Sequence, residues 1–396
     1  MWEQIRANQI RSAILVVSMG LLLFLLGYFI GLYFFGDAVP GVIIALIVWA
    51  IMGLTAYFQG DSIMLSISGA KKITKSDHPR LYNVVEEMSI AAGLPKIPDI
   101  YIIDDPALNA FATGRDPEHA AVAITSGLLQ KLNRDELQGV IGHEIGHIKN
   151  RDILLMIMAG IMLGTIVILA WFAQRALFLG GGTRRRDSKG GGQGQVIILL
   201  IGLVLMILAP LFAQLLYYAI SRKREYLADA SSVLYTRYPE GLASALEKIA
   251  NSPVQVKSAN KATAPMYIVN PFSKQGMNLS DLTSTHPPIA DRIRILRSMA
   301  GASFRDYEQA YRKLHGKGIV PNSAIALSTS MPVTPHEKIS DEPFDKIENT
   351  RETSNLLWNI NRYKTIDCDC GVRLRIPPSY QATTVQCPHC GRIHNL

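Results

Sequence analysis

The sequence predicts an α-helical membrane protein with four apolar spans, an α+β domain divided around two of them, and a small C-terminal zinc ribbon. Three observations carry this reading. Four apolar stretches of bilayer-crossing length stand out from the 396 residues. A His-Glu-x-x-His run lies between the second and third, and all four cysteines sit near the C-terminus in two closely spaced pairs. The apolar fraction of 48 % against 18 % charged residues suits a membrane protein with sizeable water-exposed parts. The net charge of +8 is modest, and the basic residues cluster beside apolar segments. That fits attraction to an anionic leaflet, with the lipid bilayer as a partner, and no nucleic-acid partner is expected.

The first apolar stretch, Ser12 to Phe35, is long enough to cross a bilayer. It lacks a short apolar core followed by small residues, so it reads as an anchor rather than a removed signal peptide. A turn, Gly36-Asp37-Ala38-Val39-Pro40, leads to the second stretch, Gly41 to Phe58. Residues 60–152 read as the first half of a water-exposed α+β domain. In it Pro79 to Ala92 forms an amphipathic helix, Asp99 to Asp104, Asn109 to Thr113 and Ala120 to Thr125 form strands, and Asn133-Arg-Asp-Glu136 is a capping box opening the next helix. Ile153 to Phe172 and Val196 to Ile220 are the third and fourth spans, joined by a Gly-rich loop, so 153–220 is a helical hairpin. A buried core helix is the alternative for each span, but four of similar length with charges at their ends favour the membrane. Residues 221–315 form the second, helical half, 316–364 reads as a Pro- and Ser-punctuated linker, and 365–396 is the ribbon.

Charge sets the orientation. Arg6 and Arg11 precede the first span while the turn after it carries only Asp37, so the N-terminus faces the cytoplasm, and parity returns 60–152 to that side. Lys149, Arg151, Arg222, Lys223 and Arg224 agree. The loop holding Arg175, Arg184, Arg185, Arg186 and Lys189 does not: either the rule is broken there, or the third and fourth segments form a hairpin that does not fully cross. The expected location is the cell (inner) membrane, multi-pass.

The most informative five residues are His143-Glu144-Ile-Gly-His147. In a helix, residues i and i+4 share a face, so both imidazoles can point at one zinc ion while Glu144 reaches a water beside it as general base. A chance match is expected in fewer than about one in a hundred chains of this composition. A catalytic zinc takes three protein ligands, and Glu225 is the best third candidate. Glu225 and Asp229 are also four apart on the helix after the fourth span, and the hairpin returns them to the level of His147. One can bind metal while the other accepts a hydrogen bond from a ligand histidine. An ordinary acidic pair on a solvated face is the alternative.

These residues, with Asn109-Ala-Phe-Ala-Thr-Gly114, Asn150-Arg-Asp152 and Thr285-His286-Pro-Pro288, resemble the HtpX-type membrane zinc metallopeptidases, gluzincins related to the CaaX prenyl proteases, over roughly residues 1–300. The resemblance implies a zincin-like peptidase domain with Glu225 as third ligand and Asp229 as its helper. It also implies an edge strand at Asn109-Ala110 that pairs with substrate backbone, His286 as oxyanion stabiliser, and turnover of damaged membrane proteins. The expected partners are protein or peptide substrates.

Cys368-Asp-Cys370-Gly and Cys387-Pro-His-Cys390-Gly flank a strand-like Val372 to Ile376. Glycine after each pair permits the tight turn that aims backbone amides at thiolates, as in a closed four-cysteine structural zinc site. A redox pair or disulfides are the alternatives, and His389 or His394 could replace one cysteine. Two zinc ions are thus expected, one catalytic and one structural, and thiolate zinc favours the cytoplasmic side. The competing functional readings are a CaaX-type prenyl protease and an inert membrane-anchored protein recruiting partners through its ribbon. Intact Glu144 weighs against the latter, and four spans rather than more weigh against the former.

Overall fold

The computed structural model describes residues 2–180, 222–257, 266–269, 287–326, 332–333 and 343–396. Helices α1 (Trp2–Phe35) and α2 (Ala38–Ile67) reverse direction at Gly36, whose φ of 74° favours glycine. Asp37 then caps α2 by accepting the Val39 N–H at 3.1 Å. The expected turn is therefore shorter, with Pro40 in the first turn of α2, where its missing N–H is no loss. Ile43, Ile47, Ile51 and Leu54 of α2 point outward. Among the described residues α2 is the one helix long and apolar enough to cross a membrane by length and composition, and the apolar stretch Val16–Leu32 of α1 is shorter. Of the four expected spans, the third lies within the apolar helix α6 (Ile153–Gly180), and Val196 to Ile220 falls outside the described residues. The four-span expectation thus narrows to one helix on those grounds.

The α+β part is built on a sheet of β1 (Lys71–Lys72), β2 (Asp99–Ile103), β3 (Ala110–Gly114) and β4 (Ala120–Thr125), in the order β1-β2-β4-β3. Strands β2 and β4 are parallel and the other pairs antiparallel. Alternation along the strands serves both faces. Ile100, Ile102, Val122 and Ile124 join the core with α3 (Pro79–Ala92) and α5 (Arg134–Asn150), whereas Ile103, Phe111, Ala121 and Ala123 pack with Met64 of α2 and Ile157 of α6. The sheet is a wall shared by the α+β core and the ends of the apolar helices, and this fixes the depth of whatever lies on β3.

Helix α5 starts where the capping box places it: Asn133 Oδ1 accepts the Glu136 N–H at 2.9 Å, and Glu136 Oε2 accepts the Asn133 N–H at 2.9 Å. It ends at Arg151, a left-handed residue with φ 54°, and α6 begins two residues later. A short helix α4 (Ser126–Lys131) precedes it. A helix over 222–236 (α7), with α8 (Pro239–Ala250), α9 (Ile289–Arg297), α10 (Phe304–His315) and α11 (Asn322–Ala326), completes the core.

The region expected as a linker contains α12 (Pro343–Ile360), which packs on α4 and buries Asn349, Thr353 and Leu356. Arg80 hydrogen-bonds Asn349, and Asn361 Nδ2 donates to Asp104 at 2.8 Å. Two of the three buried side chains are polar, so an apolar repeat was never there to be read. The ribbon follows as two hairpins, β5 (Lys364–Asp367) with β6 (Arg373–Ile376), and β7 (Thr384–Gln386) with β8 (Ile393–Asn395). Arg375 anchors it to α12, donating to Asn355 at 2.6 Å and lying 5.1 Å from the ring centre of Trp358.

Candidate metal centre and active site

His143, Glu144 and His147 occupy the buried face of α5. Glu225 reaches them from α7 because that helix runs unusually close to α5. The approach is made at Gly142 and Gly146, where a Cβ would stand 3.1 Å from Ser232 Oγ and 3.0 Å from Ser231 Cβ respectively. Ser232 Oγ donates to the Gly139 carbonyl at 2.7 Å and ties the two helices together.

Three ligand-type atoms converge. His143 Nε2 lies 3.2 Å from His147 Nε2 and 3.6 Å from Glu225 Oε2, and His147 Nε2 lies 3.5 Å from Glu225 Oε1. A zinc ion with bonds near 2.1 Å in a tetrahedral shell separates its ligands by roughly 3.4 Å, so the triangle has the size that ion requires. Each imidazole is oriented from behind by a carboxylate: Asp229 Oδ1 is 2.9 Å from His143 Nδ1, and Asp152 Oδ1 is 3.1 Å from His147 Nδ1. That pairing directs both Nε2 atoms at the common point. With carboxylates ionised and imidazoles neutral, the four acids Glu144, Asp152, Glu225 and Asp229 against Arg224 and Arg292 leave a charge of minus two, all buried. A divalent cation neutralises it.

The same charges govern protonation. Burial works against a positive His143, but Asp229 and Glu225 overcome it and hold its pKa above the ordinary histidine value. Burial likewise opposes charge on His147, yet Asp152, with Glu225 and Glu144, carries its pKa up to about 9. Glu144 is the contrary case. Its carboxyl is buried, and burial pushes its pKa up despite the two imidazoles and the Ala112 backbone N–H that faces it. A carboxyl with raised proton affinity beside a metal-sized triangle is a competent general base.

Asp229 is held in turn by Arg292 of α9, with Nε at 2.9 Å from Oδ2 and Nη2 at 2.7 Å from Oδ1. Arg292 Nη1 also donates to the Ile268 carbonyl at 2.9 Å. Sequence reasoning assigned no role to Asp152 or Arg292. Asp152 did stand in the run Asn150-Arg-Asp152 that carries the family resemblance, without a role, whereas Arg292 sits among other charges of α9 with nothing to distinguish it. Of the remaining predicted residues, His286 lies outside the described ones. Asn109 and Ala110 lie on the outer edge of the sheet, but the Ala110 carbonyl accepts the Ile268 N–H at 3.0 Å and Asn109 Nδ2 donates to the Val269 carbonyl at 3.0 Å. That end of the edge is taken by the chain itself.

The four cysteines form a second group. Their sulfurs lie within 4.8 Å of one another, with Cys368 to Cys390 at 3.5 Å and Cys370 to Cys387 at 3.7 Å. A tetrahedral zinc thiolate with bonds of 2.3 Å requires about 3.8 Å. Gly371 and Gly391, at φ 85° and 74°, make the turns. The N–H groups of Cys390 and His389 point at Cys387 and draw its thiol down to about 6.

Residues 75–300 match Peptidase family M48. A protease HtpX homolog of Dictyoglomus thermophilum is 49% identical over 299 residues, covering 75% of this chain and 94% of that protein. Homologs of the same name from Caldanaerobacter subterraneus (46% identity, 75% of this chain, 97% of that one) and Streptococcus uberis (42%, 76% and 100%) are similar throughout their length. Among solved structures, S. mikatae Ste24p shows a slight likeness, with a TM-score of 0.39 at 22% identity over 75% of this chain and 67% of that one. With more than half its length matched and its relatives covered almost completely, the chain belongs to peptidase family M48 and is a metalloprotease of the HtpX type.

Proposed function

We propose that this metalloprotease is a membrane-bound zinc endopeptidase that cleaves membrane or misfolded proteins near the cytoplasmic face, a role in protein quality control. The observation that carries the reading is the triangle of His143 Nε2, His147 Nε2 and the Glu225 carboxylate beside the buried Glu144. In this reading His143, His147 and Glu225 hold the catalytic zinc, which when bound supplies Lewis acidity to polarise a carbonyl and acidify a water. Glu144 takes the proton of the attacking water and delivers it to the departing amide nitrogen. Asp229 and Asp152 keep the Nδ1 protons on the two imidazoles, so that Nε2 stays available as a ligand. His286 donates a hydrogen bond to the developing oxyanion. Cys368, Cys370, Cys387 and Cys390 hold a structural zinc that stabilises the ribbon.

Membrane placement is supported by α2 and by the site's position. His147 precedes Ile153 of α6 by six residues, and Ile153 and Met156 line the same cleft as Glu144 and Glu225. The deciding comparison uses detergent-solubilised full-length protein and an unfolded membrane-protein substrate. Glu144→Gln should keep its metal and lose turnover by a factor of roughly a thousand or more, whereas Glu225→Ala should lose the metal itself. Normal zinc content and activity in Glu225→Ala would remove the third ligand from this scheme.

A further inference from the structure

Helix α7 carries two acids of the centre, Glu225 and Asp229, and on one side it lies against the α5 glycines, Gly142 and Gly146. On another side it meets α10, and there the contact is made by rings. Tyr307, Tyr311 and His315 fall at i, i+4 and i+8 of α10, one per turn along a single face. The Tyr311 ring meets that of Tyr226, the residue after Glu225, edge-on at 4.9 Å between centres. His315 lies 5.8 Å from the Tyr226 ring centre and 4.4 Å from that of Tyr311. At the other end of the stripe, Tyr307 is within electrostatic reach of Asp229 and Arg292. All three tyrosines are buried.

Helix α10 is itself held in place. Ser303 caps it by accepting the Asp306 N–H at 3.2 Å, and Gly316 ends it at φ 69°. Glu308 accepts the N–H groups of Ile319 and Val320, both at 2.9 Å, which folds the following chain back on the helix. Phe304, Tyr307, Ala310 and Tyr311 belong to the same buried core as α5 and α7. The match to peptidase family M48 ends at residue 300, so the whole stripe lies past it.

A zinc ligand has to sit within about 0.2 Å of its bonding distance. A glutamate on a helix is placed by that helix's distance from its neighbours and by its rotation about its own axis. The α5 glycines set how closely α7 can approach, and the Ser232 bond to Gly139 ties α7 about two turns beyond Glu225. The contact of Tyr226 with Tyr311 and His315 acts at the turn of Glu225 itself. Resting on the zinc reading of Glu225 above, we infer that Tyr311 and His315 are positioning residues for the metal centre: packed on Tyr226, they hold α7 against the α5 glycines and keep Glu225 at ligand distance.

The test measures bound zinc per chain in full-length, detergent-solubilised protein across a series of buffered free-zinc concentrations. The binding step that disappears in Glu225→Ala marks the α5 centre. In Tyr311→Ala that step should move to roughly tenfold higher free zinc, the loss typical of an outer partner of a ligand. Tyr311→Phe keeps the ring and should stay within about twofold of the parent. His315→Ala, at the half-buried end of the stripe where the fold is not at risk, should shift the step by roughly threefold. Leu129→Ala, a large-to-small change in the buried core on α4, should lower the unfolding midpoint of metal-free protein as Tyr311→Ala does, yet leave the zinc step in place. An equal shift in Leu129→Ala would overturn the positioning role, because the effect would then be general loss of stability. A step lost in Glu225→Ala but unmoved in His315→Ala, and in Tyr311→Ala where that variant folds, removes the positioning role and leaves the third ligand standing. If Glu225→Ala loses no step, the ligand reading falls and the positioning role with it.

Discussion

Replacing Arg292 by alanine should cost the protein both stability and metal. The guanidinium is 1 % exposed and makes a two-pronged contact with Asp229, at 2.9 and 2.7 Å, plus a third bond to the Ile268 carbonyl and a 3.7 Å approach to Glu225. Asp229 is fully buried; burial alone would raise its pKa, but Arg292 and His143 outweigh that and hold it below the usual carboxylate range. Without Arg292, that carboxylate keeps His143 as its one charged partner among the described residues. Removing one member of a buried pair typically costs about 3–5 kcal/mol. At roughly 2–4 °C per kcal/mol for a domain of this size, the unfolding midpoint of metal-free protein should fall by about 10 °C. The alternative open to Asp229 is to take up a proton, and then it no longer fixes His143 with Nε2 toward the ligand triangle, so zinc affinity should fall roughly 10- to 100-fold. Arg292→Lys restores a charge but not the fork, and should recover part of the stability. The measurements are thermal unfolding of metal-free protein and zinc retention against a competing chelator. A midpoint for Arg292→Ala within about 2 °C of the parent, with unchanged zinc retention, would show that Asp229 does not depend on Arg292.

Three further outcomes follow from other parts of the molecule. Cys387→Ser should lower the zinc content of the purified chain by one ion and leave hydrolysis intact, because the cysteine group belongs to the ribbon hairpins and not to the α5 centre; full zinc content in that variant would refute the four-cysteine site. His78 is buried and caps α3 by accepting the Leu81 N–H at Nδ1, and burial lowers its pKa to about 4. The folded form therefore resists a proton that the unfolded chain accepts below pH 6.5. The stability it contributes is complete above that value and drains away as pH falls toward 4, by about 2 kcal/mol between pH 7 and 5. His78→Asn keeps a cap without the titration, and its unfolding free energy should fall less across that interval; equal slopes would exclude His78 as the source. Finally, because Ile153 and Met156 at the start of α6 line the cleft, moving a cleavable segment away from its membrane anchor with flexible spacers should slow cleavage. Rates indifferent to spacer length would separate the cleft's position from substrate choice.

What the sequence made legible was local, and what it hid was not. His143 with His147 and Glu225 with Asp229 are pairs at helical spacing, and the capping box that starts α5 is complete within four residues. Asp152 required knowing that Arg151 turns left-handed and folds the next residue back on His147, a conformation any residue type would conceal. The partner of Arg292 lies 63 positions upstream, and α12 presents Asn349 and Thr353 to the protein where an apolar repeat was sought. One local anomaly did point the right way. Glycine weakens a helix interior by about 1 kcal/mol relative to alanine, yet α5 carries Gly139, Gly142 and Gly146, the last inside the metal-binding run itself. The structure gives the reason: a Cβ on Gly146 would stand 3.0 Å from the Ser231 Cβ and 3.3 Å from the Ala228 backbone. Alanine there would favour α5 as an isolated helix while pressing α7 outward, and α7 carries Glu225 and Asp229. The residue that weakens the ligand helix is the one that lets the third ligand reach it.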